Sequence, residues 1–218
     1  MNIKHNRKNA PDIFGYEMKK ISKKITLGDF SASEYVFSKK RSFIDEYNNW
    51  NVKDKMTRNE FIEYFGNANE KKNGRYSWSG SCIPKYGIYN DCGQKLFVNK
   101  SNDICIFYRY KKDIREHKKE YNFLRHGKKL IAIWKKDKMK SKINNKFDIK
   151  GFFICKKENN VYTKICFGEP FNFKYFIENI KKGIIFFDSG MYYGNNRNYS
   201  QFRCRQSNFW NNLIYEEF

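Results

Sequence analysis

The pattern of apolar and polar positions predicts a mixed set of strands and helices along the whole chain. The apolar runs Ile104-Cys105-Ile106-Phe107 and Ile184-Ile185-Phe186-Phe187 are short and bounded by polar residues or glycine, so they read as buried strands, at 104–110 and 184–187. Residues 129–134, 151–156 and 161–166 read as further strands, and 11–21 and 24–30 as two more, with Gly28-Asp29 interrupting the second. Helical spacing appears at 57–66, where Thr57 and Glu60 form a capping box, Phe61, Tyr64 and Phe65 form a stripe, and Gly66 ends it. It appears again at 172–182, with Phe173, Phe176, Ile177 and Ile180 on one face and Gly183 closing, and in the basic amphipathic stretch 137–147. Residues 31–48 fit a helix or a long loop, with Ser33 as a cap and Tyr35, Val36, Phe43 and Tyr47 as its apolar points. Residues 67–103 read as loop-rich. Strand pairs flanked by helices predict an α/β (α+β) fold with a mixed central β-sheet, and without repeats or linkers the chain, 1–218, reads as a single domain.

One segment carries chemistry. Pro11-Asp12-Ile13-Phe14-Gly15-Tyr16-Glu17-Met18-Lys19 places two carboxylates and a lysine within nine residues. Glu17 and Lys19 are two apart, so on a strand they share a face, which leaves Tyr16 and Met18 to turn towards a core. Gly15 permits a tight turn that brings Asp12 beside Glu17. Two close carboxylates repel unless a cation lies between them, and oxygen ligands suit Mg²⁺. A lysine beside that cation can orient a water and help deprotonate it. The same residues also fit a blander role, since Pro-Asp opens ordinary turns and Glu-x-Lys forms solvated ion pairs.

Charge adds a partner. Lys and Arg number 44 against 23 Asp and Glu, a formal charge of +21 over 218 residues, which calls for a polyanion such as nucleic acid. An AT-rich genome would also encode Lys/Asn runs such as 138–146, but 19% aromatic residues point to a folded domain and not a basic tail. Cys82, Cys92, Cys105, Cys155, Cys166 and Cys204 lack CxxC spacing and mostly sit in apolar runs, as buried thiols of a reduced, cytoplasmic protein. His5, His117 and His126 form no metal-ligand pattern, which argues against zinc and His-metal nucleases. No apolar run is long enough for a membrane span. The aromatics Tyr76, Trp78 and Tyr86 read as core rather than as a groove-inserting loop.

Residues 188–205 read as a Gly/Asn turn between two strands, holding Tyr192, Tyr193, Asn195, Arg197, Tyr199, Ser200, Gln201, Arg203 and Arg205. These side-chain types read base edges and hold phosphates, although a plain polar hairpin would look similar. Alternation places Gln201 and Arg203 on one face and Phe202 on the other.

With Asn9-Ala10-Pro11-Asp12, Glu17-Met18-Lys19 and the late Ser189-Gly190 to Phe202-Arg203 segment, the chain resembles the MvaI/BcnI family of type II restriction endonucleases. These are relatives of the mismatch-repair nickase MutH among the PD-(D/E)xK nucleases. The resemblance implies a restriction-endonuclease-like fold and Mg²⁺-dependent, sequence-specific cutting of double-stranded DNA that leaves 5′-phosphates. It implies Asp12, Glu17 and the Met18 carbonyl as Mg²⁺ ligands, Lys19 as the base that positions water, and Arg203 with residues 192–201 as the base readers. It also implies a monomer that cuts the strands in turn, paired with a cognate methyltransferase. The family has an N-terminal helical segment where only eleven residues precede Asp12, so that segment is expected to be missing here or supplied elsewhere. Tyr199-Ser200 stand where relatives carry His and Gly, so base specificity does not transfer. Two alternatives stay open: a MutH-like nickase, and a basic DNA- or RNA-binding protein without catalysis. Gly87-Ile88-Tyr89 hints at a GIY-YIG nuclease, but no matching Tyr-Ile-Gly follows.

Overall fold

A computed structural model describes residues 10–116, 121–205 and 209–218. His5 and His117 lie outside the described residues. In chain order the strands begin with β1 (Glu17–Lys20), β2 (Lys24–Asp29), β3 (Glu34–Tyr35), β4 (Asn67–Asn69), β5 (Arg75–Trp78), β6 (Cys92–Val98) and β7 (Ile104–Asp113). They continue with β8 (Lys129–Trp134), β9 (Phe152–Glu158), β10 (Val161–Gly168), β11 (Ile185–Ser189), β12 (Met191–Tyr192), β13 (Ser200–Arg205) and β14 (Ile214–Glu217). The helices are α1 (Ser42–Asn48), α2 (Arg58–Phe65), α3 (Asn122–Arg125), α4 (Lys136–Phe147) and α5 (Phe173–Lys181).

The chain divides into two compact units. The first comprises Met1–Leu27, Asp137–Ile185 and Arg203–Phe218, and the second Gly28–Lys136 and Phe186–Phe202.

The first unit holds a sheet of order β1-β9-β10-β14. It is mixed, as expected: β1 runs parallel to β9, with Glu17 opposite Phe152 and Lys19 opposite Ile154, while β10 is antiparallel to β9 and to β14. Helix α4 buries Met139, Ile143 and Phe147, one apolar residue per turn. Helix α5 is capped by Asn172, whose side chain accepts from the Tyr175 amide, and buries Phe173, Phe176, Ile177 and Ile180. Phe147, Phe152, Phe171, Phe209 and Trp210 form one aromatic cluster, with Phe147 stacked on Phe171 and Trp210 edge-on to Phe152.

The second unit holds an antiparallel sheet, β3-β8-β7-β6, and a small sheet, β12-β5-β4. Its core joins Tyr35, Phe61, Trp78, Trp134 and Phe187 through edge-on and tilted ring contacts. Helix α2 starts at the expected Thr57/Glu60 capping box. Helix α1 departs from expectation: it buries Ile44 and Asn48 and leaves Tyr47 exposed, because the Asn48 side chain exchanges two hydrogen bonds with the Leu130 backbone. Trp78 is core, as expected, but Tyr76 is exposed. A further sheet has the order β11-β13-β2.

Candidate active site

The nine-residue acidic motif folds as a two-residue hairpin turn followed by β1. Ile13 and Tyr16 form an isolated antiparallel bridge, and the Asp12 and Ile13 amides both donate to the Tyr16 carbonyl, at 2.9 and 3.1 Å. The turn carries the chain back so that Asp12 Oδ2 accepts from the Met18 amide at 3.0 Å. Asp12 is thereby fixed against the strand that bears Glu17 and Lys19.

Glu17 and Lys19 do share a face, but it is the buried one, at 3% and 8% exposure. Met18 is 45% exposed, which corrects the expectation that Tyr16 and Met18 turn to the core. The charged pair is held in the interior through one carboxylate oxygen of Glu17. Glu17 Oε1 accepts from Lys19 Nζ at 2.8 Å and from Lys146 Nζ at 2.9 Å. Lys19 Nζ also donates to the Leu27 carbonyl at 3.2 Å and lies over the Phe147 and Trp210 rings. Tyr16 is half-buried, edge-on to Phe167.

Burial is the largest influence on Lys19 and pushes its pKa below the ordinary lysine value; the nearby Lys146 pushes the same way, while Glu17 and Asp12 oppose them. A lysine held in this way gives up its proton more readily than one in water, the property needed to accept a proton from water. Lys146 was invisible as a site residue in the sequence, where it is one of several lysines on a basic helix.

Glu17 Oε2 is buried without a hydrogen-bond partner. An orphaned carboxylate oxygen on Glu17, with the Asp12 carboxylate fixed on the amide of the neighbouring Met18, is a donor set that fits a hard divalent cation. Among the described residues no group of three or more His, Cys, Asp or Glu side chains clusters to hold a metal, so a cation here depends on two carboxylates and backbone oxygen.

Residues 188–205 are more than a two-stranded hairpin. After β11, the short β12 pairs with β5, Met191 opposite Trp78 and Tyr192 opposite Ser77, before the chain returns as β13. The turn is closed by the Gly190 amide and Ser189 Oγ, both donating to the Tyr199 carbonyl at 3.2 Å. Tyr193 is exposed, and Arg197 lies over the Tyr199 ring, 3.4 Å from Asp29 Oδ2. Asn195 donates to the Tyr192 hydroxyl at 2.8 Å, and the Tyr192 ring also carries the Arg75 guanidinium. Along β13, Phe202 and Cys204 are buried, Gln201 and Arg203 are half-buried on the other face, and Arg205 is exposed. Ser200 is fully buried, its hydroxyl bonded to that of Tyr35 and its amide to Asp29 Oδ1. Of the nine residues expected to contact DNA, Arg203 and Arg205 belong to the first unit and the other seven to the second.

The sequence model of the LlaMI restriction endonuclease family matches residues 1–218. The chain belongs to that family. It is 40% identical over 227 residues to the type II restriction enzyme ScrFI of Lactococcus lactis subsp. cremoris, covering 97% of this chain and 82% of that protein. Its fold matches restriction endonuclease MvaI in a complex with cognate DNA substrate, with a TM-score of 0.57 at 15% identity over 98% of this chain and 81% of that one.

For a LlaMI-family endonuclease, Arg58 is a residue the sequence did not single out. Its guanidinium donates to Asn198 Oδ1 (2.8 Å), the Tyr192 carbonyl (3.2 Å) and the Arg197 carbonyl (2.7 Å). Asn59 Oδ1 accepts from the Gly194 amide at 3.3 Å. The start of α2 therefore shapes the 190–199 segment. Arg58→Met is expected to loosen that segment and weaken DNA binding by about tenfold, from roughly one net charge-assisted hydrogen bond. Titration of a fluorescent duplex checks this, and unchanged affinity would show that the segment holds its shape without Arg58.

Proposed function

We infer that this type II restriction endonuclease cuts double-stranded DNA at Glu17 and Lys19, in a Mg²⁺-dependent reaction that leaves 5′-phosphates. The observation that carries the reading is the buried, unpartnered Glu17 Oε2 beside the displaced pKa of Lys19. Asp12, Glu17 and the Met18 carbonyl would hold the ion. When bound, Mg²⁺ neutralises phosphate charge and acidifies water. Lys19 Nζ orients the attacking water and takes its proton. The water oxygen bonds to phosphorus as the P–O3′ bond breaks in line, so the phosphate stays on the 5′ end. Lys146, from α4, keeps Glu17 in place. Arg203, Gln201 and Arg205, with Tyr192, Tyr193, Asn195, Arg197 and Tyr199, supply base and phosphate contacts. The enzyme acts as a monomer in the cytoplasm beside a methyltransferase that protects the same site. Among the described residues no helix is long and apolar enough to cross a membrane.

Digestion of unmethylated plasmid tests the reading. Discrete linear fragments are expected in Mg²⁺, none in EDTA and none with Glu17→Ala, and the ends should ligate without kinase treatment. Fragments that persist in EDTA would remove the metal, and open circles without linear product would turn the reading towards a nickase. DNA binding with no cutting would overturn it.

A further inference from the structure

The turn between the two carboxylates carries a feature that the hydrolytic reading leaves unused. Phe14 is 86% exposed, the most exposed of the large apolar side chains among the described residues. Its φ is +49°, and that of Gly15 is +88°. A two-residue hairpin turn with both central φ positive strongly prefers Asn-Gly, and a bulky residue at the first position is an outlier. The conformation is nonetheless firmly imposed. Tyr16 and Ile13 exchange backbone hydrogen bonds at 2.8 and 3.1 Å, and Gly15 packs on the side chains of Ile149 and Lys150. The fold thus holds an aromatic ring in water, in an unfavourable backbone conformation, two residues after Asp12 and three before Glu17. Strain of this kind collects where function needs it. Lys150, its ammonium over the Tyr16 ring, adds positive charge at the base of the turn.

We propose that Phe14 is a DNA wedge: its ring enters the stack at the base step beside the phosphate held by Asp12 and Glu17. Every base offers an apolar π-face, and apolar side chains that enter a base step unstack it and bend the duplex. The chain length requires proximity, because two or three residues span at most about 10 Å. Phe14 therefore lies close to the scissile phosphate wherever the carboxylates hold it. Unstacking there would position the backbone for attack and make cutting depend on how easily the flanking step opens. The inference rests on the endonuclease reading above.

The test uses the full chain and a duplex carrying its mapped cut site, with 2-aminopurine at the scissile step and Ca²⁺ in place of Mg²⁺ to hold the complex uncut. Wild type should raise the fluorescence several-fold, as an unstacked 2-aminopurine does. Phe14→Asn should leave it at the free-duplex level and cut at least about tenfold more slowly, the loss of a stacking contact. It should also melt about 2–4 °C higher, because Asn accepts the positive φ. A gain in stability with a loss of unstacking cannot come from damage to the fold. An unchanged fluorescence rise in Phe14→Asn would overturn the wedge, as would a slower cut without any rise in wild type. A lower melting temperature would also overturn it, since Phe14 would then be a structural residue. A wild type that cuts no DNA would instead refute the underlying endonuclease reading, and the wedge with it.

Discussion

Lys19→Met is expected to slow single-turnover DNA cleavage by about 10³-fold, the usual worth of a positioned proton acceptor, while leaving the protein folded and able to bind DNA. Lys19 is 8% exposed, and the fold pushes its ammonium towards the neutral form, so its charge is held at a cost. Methionine is similarly long, fills the space against Phe147 and Trp210, and removes that cost. Glu17 does not become an unpaired buried charge, because Lys146 still donates to Oε1 at 2.9 Å. The melting temperature should therefore stay level or rise. Lys19→Arg separates two roles. A guanidinium keeps the positive charge but does not give up its proton, so the variant should be as inactive as Lys19→Met if Lys19 accepts a proton. Substantial activity in Lys19→Arg would reduce the role to charge alone. A loss of cleavage matched by an equal loss of binding in Ca²⁺ would remove Lys19 from the chemistry altogether.

That Glu17 and Lys19 share a face was legible because a strand has a period of two, wherever β1 lies. Which face was not legible. Alternation assigns the apolar residue to the core, and here the polar pair wins because Lys146 arrives from α4 and the Leu27 carbonyl from β2. That partner is 129 residues away in sequence and meets Glu17 only after folding. The Thr57/Glu60 cap, the 129–134 strand and the helix near 172–182 were readable because their signals are local. Strand β6 was missed for the opposite reason. It contains Gln94, a fully buried polar residue that accepts from the Trp78 indole and donates to the Phe65 carbonyl, so its pattern looks like a loop. The burial of Ser200 was hidden in the same way, because the hydroxyl stands among arginines and its partner Tyr35 is distant in sequence.

The largest expected loss of stability is at Asp113, far from the motif in sequence. Asp113 is 4% exposed and accepts from Tyr108 and Arg115. The Tyr108 hydroxyl donates to Oδ2 at 3.0 Å, and the Arg115 guanidinium donates to both oxygens, at 2.9 and 2.8 Å. Tyr108 in turn bonds Tyr64 at 2.9 Å, and burial pushes the pKa of both phenols up, so neither relieves the site by ionising. Asp113→Ala leaves a guanidinium without its anion and a buried hydroxyl without its acceptor. Removing one partner of such a pair costs about 3–5 kcal/mol. That corresponds to a fall of about 10 °C in melting temperature for a chain of this size. Asp113→Asn keeps an acceptor for Tyr108 and should lose less. The damage should also have a direction. Arg115 donates to the Tyr64 and Gly66 carbonyls at 2.7 and 2.9 Å, which ties down the end of α2. The start of the same helix carries Arg58, the support of the 190–199 segment. Below its melting temperature, Asp113→Ala is therefore expected to lose discrimination between cognate and single-mismatch sites before it loses cleavage, read as the ratio of cutting rates on paired duplexes. A variant that melts as wild type would show that the Asp113 network adds little to stability. One that melts low but keeps full discrimination would uncouple α2 from DNA reading.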